Sequence, residues 1–131
     1  MSNELFVNGE CHCGKINITA RIDKNKVRAC HCTDCQKFSG APLRAIAVAS
    51  VESITIKGAP REYIKIGDSG NRRIQAFCEY CGTQLYATNI EKTSFNLRTG
   101  FLQQRHLLEP KEHVFTASSM LWFKKIDFEK K

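Results

Sequence analysis

Apolar and polar residues alternate with a period of two along much of this chain. In the stretch 15–22, Ile16, Ile18, Ala20 and Ile22 would lie on one side of an extended strand and polar residues on the other. Such alternation is typical of a strand that is buried on one face. Further strands are predicted at 43–49, 53–57, 62–66, 72–78, 84–88, 95–99 and 114–118. Glycine-containing turn signals separate several of these segments, so the chain is predicted to be mainly β.

One short helix is predicted after the central cysteines. The residues TDCQ at 33–36 match the S/T-x-x-E/Q capping box, with Thr33 as the N-cap. Gly40 and Pro42 follow as stop signals. The sequence therefore predicts mainly antiparallel sheet and one helix of one or two turns, with Cys35 in its first turn.

The length and the N-terminal segment limit the class of protein. A chain of 131 residues fits one domain, so a single zinc-binding domain is expected over 1–131. The first ten residues have no basic start followed by a long apolar stretch, which is the pattern of an export signal. No segment approaches the ~20 apolar residues that span a bilayer. We therefore expect a cytoplasmic protein that does not contact membranes.

The basic composition raises nucleic acid as a partner. The formal charge is +7, and four of the lysines stand near the C-terminus: Lys124, Lys125, Lys130 and Lys131. Two zinc–thiolate sites would lower the net charge to about +4, because ligating thiols are deprotonated. The remaining basic residues are scattered, and a short basic end is usually solvated. Nucleic-acid binding is therefore not expected.

Cysteine spacing gives the strongest chemical signal. Seven cysteines form a CxC, a CxCxxC and a CxxC: Cys11, Cys13, Cys30, Cys32, Cys35, Cys78 and Cys81. An odd number in a reducing compartment argues against complete disulfide pairing and favours metal binding. Four sulfurs close a structural zinc site, whereas three leave a position open for water or a substrate atom. The count predicts two zinc ions per chain, one structural and one catalytic.

Glycine placement divides the ligands between these two sites. Gly14 and Gly82 each follow the second cysteine of a pair, where φ > 0 lets backbone N–H groups point at thiolates. We therefore assign the structural zinc to Cys11, Cys13, Cys78 and Cys81. The catalytic zinc is assigned to Cys30, Cys32 and Cys35, whose thiolates the helix N-terminus would stabilise.

Several alternatives stay open at this stage. Cys11, Cys13, Cys30 and Cys32 could form the closed site instead. The triplet could also be a second closed zinc site, with an acidic residue or one of three histidines as fourth ligand: His31, His106 or His113. An iron–sulfur cluster would need to borrow a fourth cysteine. His12 and His31 each lie between two cysteines and are expected to face away from the metal.

Three motifs resemble the glutathione-dependent formaldehyde-activating enzyme family. They are GECHCG at 9–14, CHCTDCQKFSGAP at 30–42 and RIQAFCEYCGTQL at 73–85. TGFL at 99–102, PKEHVF at 110–115 and Trp122 resemble the C-terminal pattern of the family. The resemblance implies a zinc-stapled fold of the β-tent type, similar to that of methionine-R-sulfoxide reductases. It also implies the division of zinc ligands given above.

The activity implied by the resemblance joins formaldehyde and glutathione into S-hydroxymethylglutathione, and is classed in reverse as a carbon–sulfur lyase. The expected substrates are a small thiol and an aldehyde, with glutathione as a possible co-substrate. The alternative is a non-catalytic zinc module that contacts protein or nucleic acid. A thiol redox enzyme is disfavoured because every cysteine is assigned as a ligand.

Glutathione has two carboxylates, which arginine or lysine near an open metal would bind. The candidates by position are Lys37, Arg44, Arg72, Arg73 and Arg98. Each is expected to be solvated surface charge, so none is included among the predicted site residues. Gln36 and Ser39 are expected to have structural roles.

Overall fold

The computed structural model describes residues 3–125. Lys130 and Lys131 of the predicted basic end lie outside this range. The strands are β1 (Glu4–Glu10), β2 (Asn17–Asp23), β3 (Arg28–Cys30), β4 (Arg44–Ala49), β5 (Thr55–Lys57), β6 (Arg61–Ile66), β7 (Arg72–Phe77), β8 (Gln84–Asn89), β9 (Phe95–Arg98) and β10 (Glu112–Val114). One α-helix, α1 (Thr33–Ser39), lies between β3 and β4. Short 3-10 helices lie at Lys24–Lys26, Arg105–Leu107, Thr116–Ser118 and Phe123–Lys125.

The described strands form one sheet, with the order β1-β2-β4-β9-β8-β7-β6 along its main path. Neighbours along this path are antiparallel. Strand β5 pairs with β2, and β3 pairs with β4. The prediction of a mainly β, antiparallel fold with one short helix is confirmed. Within residues 3–125, no helix combines the length and the apolar character needed to cross a membrane.

The core follows from the alternation in the sequence. In β2, the side chains of Ile18, Ala20 and Ile22 are buried, as the period-two pattern predicts. Leu85 of β8 and Leu97 of β9 are also buried and belong to the same apolar cluster. Burying apolar side chains on one face of the sheet is the main driving force for this arrangement.

Two predicted features near the central cysteines are wrong. The segment 114–118 is not a strand beyond Val114, because Thr116–Ser118 forms a 3-10 turn. The helix begins with Cys32 as its N-cap, whose sulfur accepts a hydrogen bond from the backbone N–H of Cys35. Thr33 is therefore inside the helix, and the capping box is not formed. The predicted helix end is confirmed, since Gly40 adopts a left-handed conformation with φ 63°.

Strands β1 and β3 lie outside the predicted segments, and β10 overlaps one of them only at Val114. Strands β3 and β10 are three residues long, which is too short for a periodic pattern to indicate a strand. They pair in parallel, with Val114 opposite Cys30, and the His31 backbone N–H donates to the Val114 carbonyl at 3.0 Å. This pairing fixes the backbone on both sides of Cys30, at the start of the central cysteine group.

Gly9 in β1 lies where the chain returns from β9. It forms an isolated bridge with Leu102, and a Cβ placed on Gly9 would lie 2.4 Å from the Phe101 carbonyl oxygen. We expect Gly9→Ala to lower the free energy of unfolding by about 1–3 kcal/mol, as overpacked substitutions do. Urea denaturation measures the change. Gly100→Ala is the matched control, because its Cβ would meet no atom within 4 Å, and equal stability of the two variants would contradict the prediction.

Candidate functional site

Four cysteines from two distant parts of the chain meet in one cluster. Cys11 and Cys13 follow β1, and Cys78 and Cys81 follow β7. All four sulfurs lie within 4.8 Å of one another. The Cys13 sulfur is 3.7 Å from that of Cys11 and 3.8 Å from that of Cys78. Sulfurs bound tetrahedrally at ~2.3 Å from zinc are about 3.8 Å apart, so the cluster fits a four-sulfur zinc site.

Tight turns hold both cysteine pairs in place. Gly14 and Gly82 have φ values of 83° and 81°, as their positions in the sequence predict. Their backbone N–H groups donate to the carbonyls of Cys11 at 2.9 Å and of Cys78 at 2.8 Å. The Ile16 N–H lies 3.3 Å from the Cys11 sulfur, which it would stabilise as a thiolate.

Thr83 connects the two turns. Its hydroxyl accepts from the His12 backbone N–H at 3.0 Å and lies 3.2 Å from the Cys81 sulfur. Hydrogen bonds from the Thr83 hydroxyl and from its backbone N–H lower the pKa of Cys81 to about 5. The His12 residue is exposed and is not among the clustered ligands. Thr83 therefore ties the CxC turn to the CxxC turn and favours a thiolate at Cys81.

The second cluster contains Cys30, Cys32 and Cys35, whose sulfurs also lie within 4.8 Å of one another. Cys30 ends β3, Cys32 caps α1 and Cys35 lies in the first turn of the helix. Burial and the neighbouring Cys30 thiol raise the pKa of Cys35 to about 12. A coordinating metal ion deprotonates such a thiol. A bound cation would also offset the repulsion among three thiolates placed this close together.

Histidines and carboxylates do not join the three sulfurs within the described residues. His31 is buried and turns away from them, with its Nε2 2.8 Å from Nδ1 of His113. The two rings stack with centroids 5.1 Å apart, and Phe123 packs edge-on against His31 at 5.0 Å. Burial, followed by the charge of His113, lowers the pKa of His31. A lowered pKa favours the neutral form of the His31 ring, which packs against His113 and Phe123. His106 is exposed and is not part of the three-cysteine cluster.

The triplet opens onto a cavity of about 380 Å³. This volume is at the lower end of the range of small-molecule sites. Basic side chains line much of the cavity wall: Arg28, Arg44, Lys65, Arg73 and Arg98. Val114 and Phe115 supply an apolar part of the lining. Lys65 is paired with Asp34, and Arg28 lies 3.8 Å from Glu112, so these two cations are neutralised locally.

Sheet register explains why arginines meet the cysteines. Arg44 of β4 lies opposite Cys30 of β3, and Arg98 of β9 lies opposite Ile46, two residues along β4. The expectation that Arg44 and Arg98 are solvated is wrong, because their relative exposures are 9% and 6%. Their positions on central strands take them into the interior. Lys37 and Arg72 are exposed as expected, and Arg73 is half-buried.

Gln75 was missed by the sequence analysis. It lies on β7, is buried, and its Oε1 accepts hydrogen bonds from Arg44 Nη1 and Arg98 Nη2, both at 3.1 Å. The local pattern gave no signal, since Gln75 stands between Ile74 and Ala76 in a strand that begins with two arginines, as a solvent-facing residue of an alternating strand would. A buried amide requires a polar partner. Gln36, predicted to be structural, donates from Nε2 to the carbonyls of His31 and Ser118, both at 2.9 Å.

Comparisons with known proteins agree with this architecture. A protein of Rhodobacter sphaeroides, known from its crystal structure, matches with a TM-score of 0.62 at 19% identity, covering 82% of this chain and 99% of that one, and shares its fold. An uncharacterized lyase of Schizosaccharomyces pombe is 30% identical over 78 residues, which are 60% of this chain and 54% of the relative. This chain thus spans about half the length of that curated relative.

The family comparison covers most of the chain and both cysteine clusters. Residues 6–118 match the model described as glutathione-dependent formaldehyde-activating enzyme. The matched range contains all seven cysteines and the basic cavity wall. The chain therefore belongs to the glutathione-dependent formaldehyde-activating enzyme family.

Proposed function

We propose that this protein is a zinc-dependent enzyme of the carbon–sulfur lyase type, which forms or cleaves the adduct of a small thiol and an aldehyde. The reaction would be similar to the synthesis of S-hydroxymethylglutathione from formaldehyde and glutathione. The observation that carries the proposal is the opening of a three-sulfur cluster onto a basic cavity of about 380 Å³. A site that only stabilises the fold would not need this exposure to a cavity.

The chemistry of the donors suits zinc at both clusters. Cys11, Cys13, Cys78 and Cys81 would hold a structural ion, and Cys30, Cys32 and Cys35 would hold a second ion. With three protein ligands, zinc supplies a Lewis acid with an open position for a thiolate or a carbonyl oxygen. Iron is less suited to three cysteines because its clusters usually take four.

The protein's own residues would orient the substrates and stabilise charge. Adding a thiol to an aldehyde forms one C–S bond and moves the thiol proton to the new hydroxyl oxygen. Guanidinium groups of Arg44 and Arg98 would favour the anionic sulfur of the incoming thiol, since they are buried and line the same cavity as the triplet. Val114 and Phe115 would offer the aldehyde an apolar contact on one side of the cavity. Water at the cavity mouth is sufficient as the proton carrier.

The first test is the metal content. We expect two zinc ions per chain in freshly purified protein, because both sulfur clusters have ligand sets that zinc prefers. Elemental analysis by mass spectrometry, with cysteine oxidation measured on the same sample, gives the ratio. One zinc per chain in fully reduced protein, or a coloured iron cluster, would contradict the assignment of the second site.

The second test is turnover. Exchange NMR spectroscopy with ¹³C-formaldehyde and glutathione measures the rate at which the thiol adduct forms and breaks. We expect this rate to rise linearly with the concentration of zinc-loaded protein. Protein stripped of zinc by a chelator and then reloaded is the control, and it should lose and regain the acceleration. A rate no different from that without protein would reject the formaldehyde–glutathione activity and leave other thiol adducts to be tried by the same method.

A further inference from the structure

We propose that the aldehyde in the reaction carries an apolar substituent, which binds against the side chain of Phe115. This inference rests on the proposed function and deepens it, because it extends the substrate class from formaldehyde to larger aldehydes. Formaldehyde has only hydrogen atoms on its carbonyl carbon, so an apolar contact gives it little. The features that carry the inference are the apolar residues near Cys30 and the backbone conformation of Phe115.

Apolar residues lie close to Cys30 in the wall of the cavity. Val114 of β10 is opposite Cys30 in the parallel pairing with β3, and Phe115 follows it in the chain. Ile46 of β4 is opposite Arg28, two residues before Cys30 on β3. Ile46, Val114 and Phe115 line the same cavity as the three sulfurs. A substituent next to a sulfur bound at the triplet would therefore meet apolar side chains on this side of the cavity.

Phe115 has a backbone conformation that bulky residues rarely adopt. Its φ of 56° and ψ of 41° lie in the left-handed region, which is unfavourable for an L-residue with a large side chain. The backbone is fixed before this residue by the hydrogen bond from the His31 N–H to the Val114 carbonyl. After it, the Ser118 N–H donates to the Phe115 carbonyl at 3.2 Å, and Gln36 Nε2 donates to the Ser118 carbonyl. Strained residues held in this way are common at ligand-binding sites.

The Phe115 ring does not repay this strain by packing in the core. The residue is 68% exposed, although its side chain is large and apolar and lines the cavity. Glycine would adopt the same backbone conformation without strain and would expose less apolar surface. The ring therefore contributes little to the fold, and its free surface lies where a substrate would cover it. Covering such surface with an apolar group is favourable because both leave water.

The test uses stable thioethers that differ only in the group standing for the aldehyde. In S-alkylglutathiones, the alkyl carbon bonded to sulfur takes the place of the aldehyde carbon. Zinc-loaded protein is titrated by calorimetry with the methyl, ethyl, propyl and butyl thioethers. We expect the affinity to rise about 2- to 4-fold with each added carbon, as burial of one CH₂ group predicts.

Equal affinities across the series, or failure of all four thioethers to bind, would overturn the inference. Only binding is measured in these titrations. A clear rise with alkyl length, without turnover of any thiol–aldehyde adduct, would therefore reject the proposed function and retain the apolar contact.

Substitutions of Phe115 identify the side chain that makes the contact. We expect Phe115→Gly to melt close to the wild-type temperature, because relief of strain offsets the added freedom of the unfolded chain. It should lose most of the dependence on alkyl length, whereas Phe115→Leu, which keeps an apolar side chain, should retain it. Leu121→Ala is the control, since Leu121 is 95% exposed outside the cavity lining. A Phe115→Gly variant that unfolds, or that keeps the full dependence, would overturn the assignment to Phe115.

Discussion

Replacing Cys35 by serine is expected to lower the rate of thiol–aldehyde exchange about 100- to 1,000-fold or more while the chain stays folded. Serine is a poor ligand for zinc, so the second site would be left with Cys30 and Cys32 only. The four-cysteine cluster lies on the turns after β1 and β7, so the substitution should not change its metal content. The variant should therefore contain one zinc ion per chain in place of two, with a wild-type circular dichroism spectrum.

A control on the same helix separates catalysis from folding. Lys37 is exposed and two residues away from Cys35, so Lys37→Ser should keep both the exchange rate and two zinc ions. If Cys35→Ser instead loses its secondary structure, the triplet is a structural metal site and the proposed activity loses its basis. Full turnover with one zinc ion would place the chemistry outside the triplet.

The sequence predicted the strands whose residues alternate and the turns that contain glycine, since both signals are local. Ile18, Ala20 and Ile22 face the core for this reason, and Gly14 and Gly82 have the positive φ that their turns require. The spacing of the cysteines also indicated which sulfurs lie close together. The spacing carries information about the metal because ligands on one tight turn are held within a few ångströms by the backbone.

Features that depend on the sheet as a whole could not be read in this way. Arginine is usually exposed, and nothing in the local sequence places Arg44 beside Cys30 or Arg98 beside Gln75. These contacts follow from the pairing of β4 with β3 and β9, which joins segments far apart in the chain. The N-cap of the helix was predicted wrongly for a different reason. The Cys32 sulfur takes the position of the capping oxygen, which shifts the helix start by one residue relative to the capping-box pattern.

The largest effect on stability is expected at the four-cysteine cluster. Cys78 is fully buried, and two of its partners, Cys11 and Cys13, come from the N-terminal part of the chain, so its metal would join the turn after β1 to the turn after β7. We expect Cys78→Ser to be largely unfolded at 37 °C. Zinc binding contributes about 10–16 kcal/mol in small structural sites, whereas a domain of this size has about 5–15 kcal/mol of total stability. Thermal melting followed by circular dichroism measures the loss.

The neighbouring residue Tyr80 provides the matched control. It lies in the same turn, is exposed, and has the Lys15 amine 4.2 Å from its ring centroid. Tyr80→Ser removes only this surface contact, so its melting temperature should stay close to that of the wild type. If Cys78→Ser melted at the same temperature as Tyr80→Ser and kept two zinc ions, the cluster would not hold the fold together. A large loss confined to Cys78→Ser would mean that a metal at this cluster holds together the sheet that carries Arg44 and Arg98, so loss of that ion alone would disable the protein.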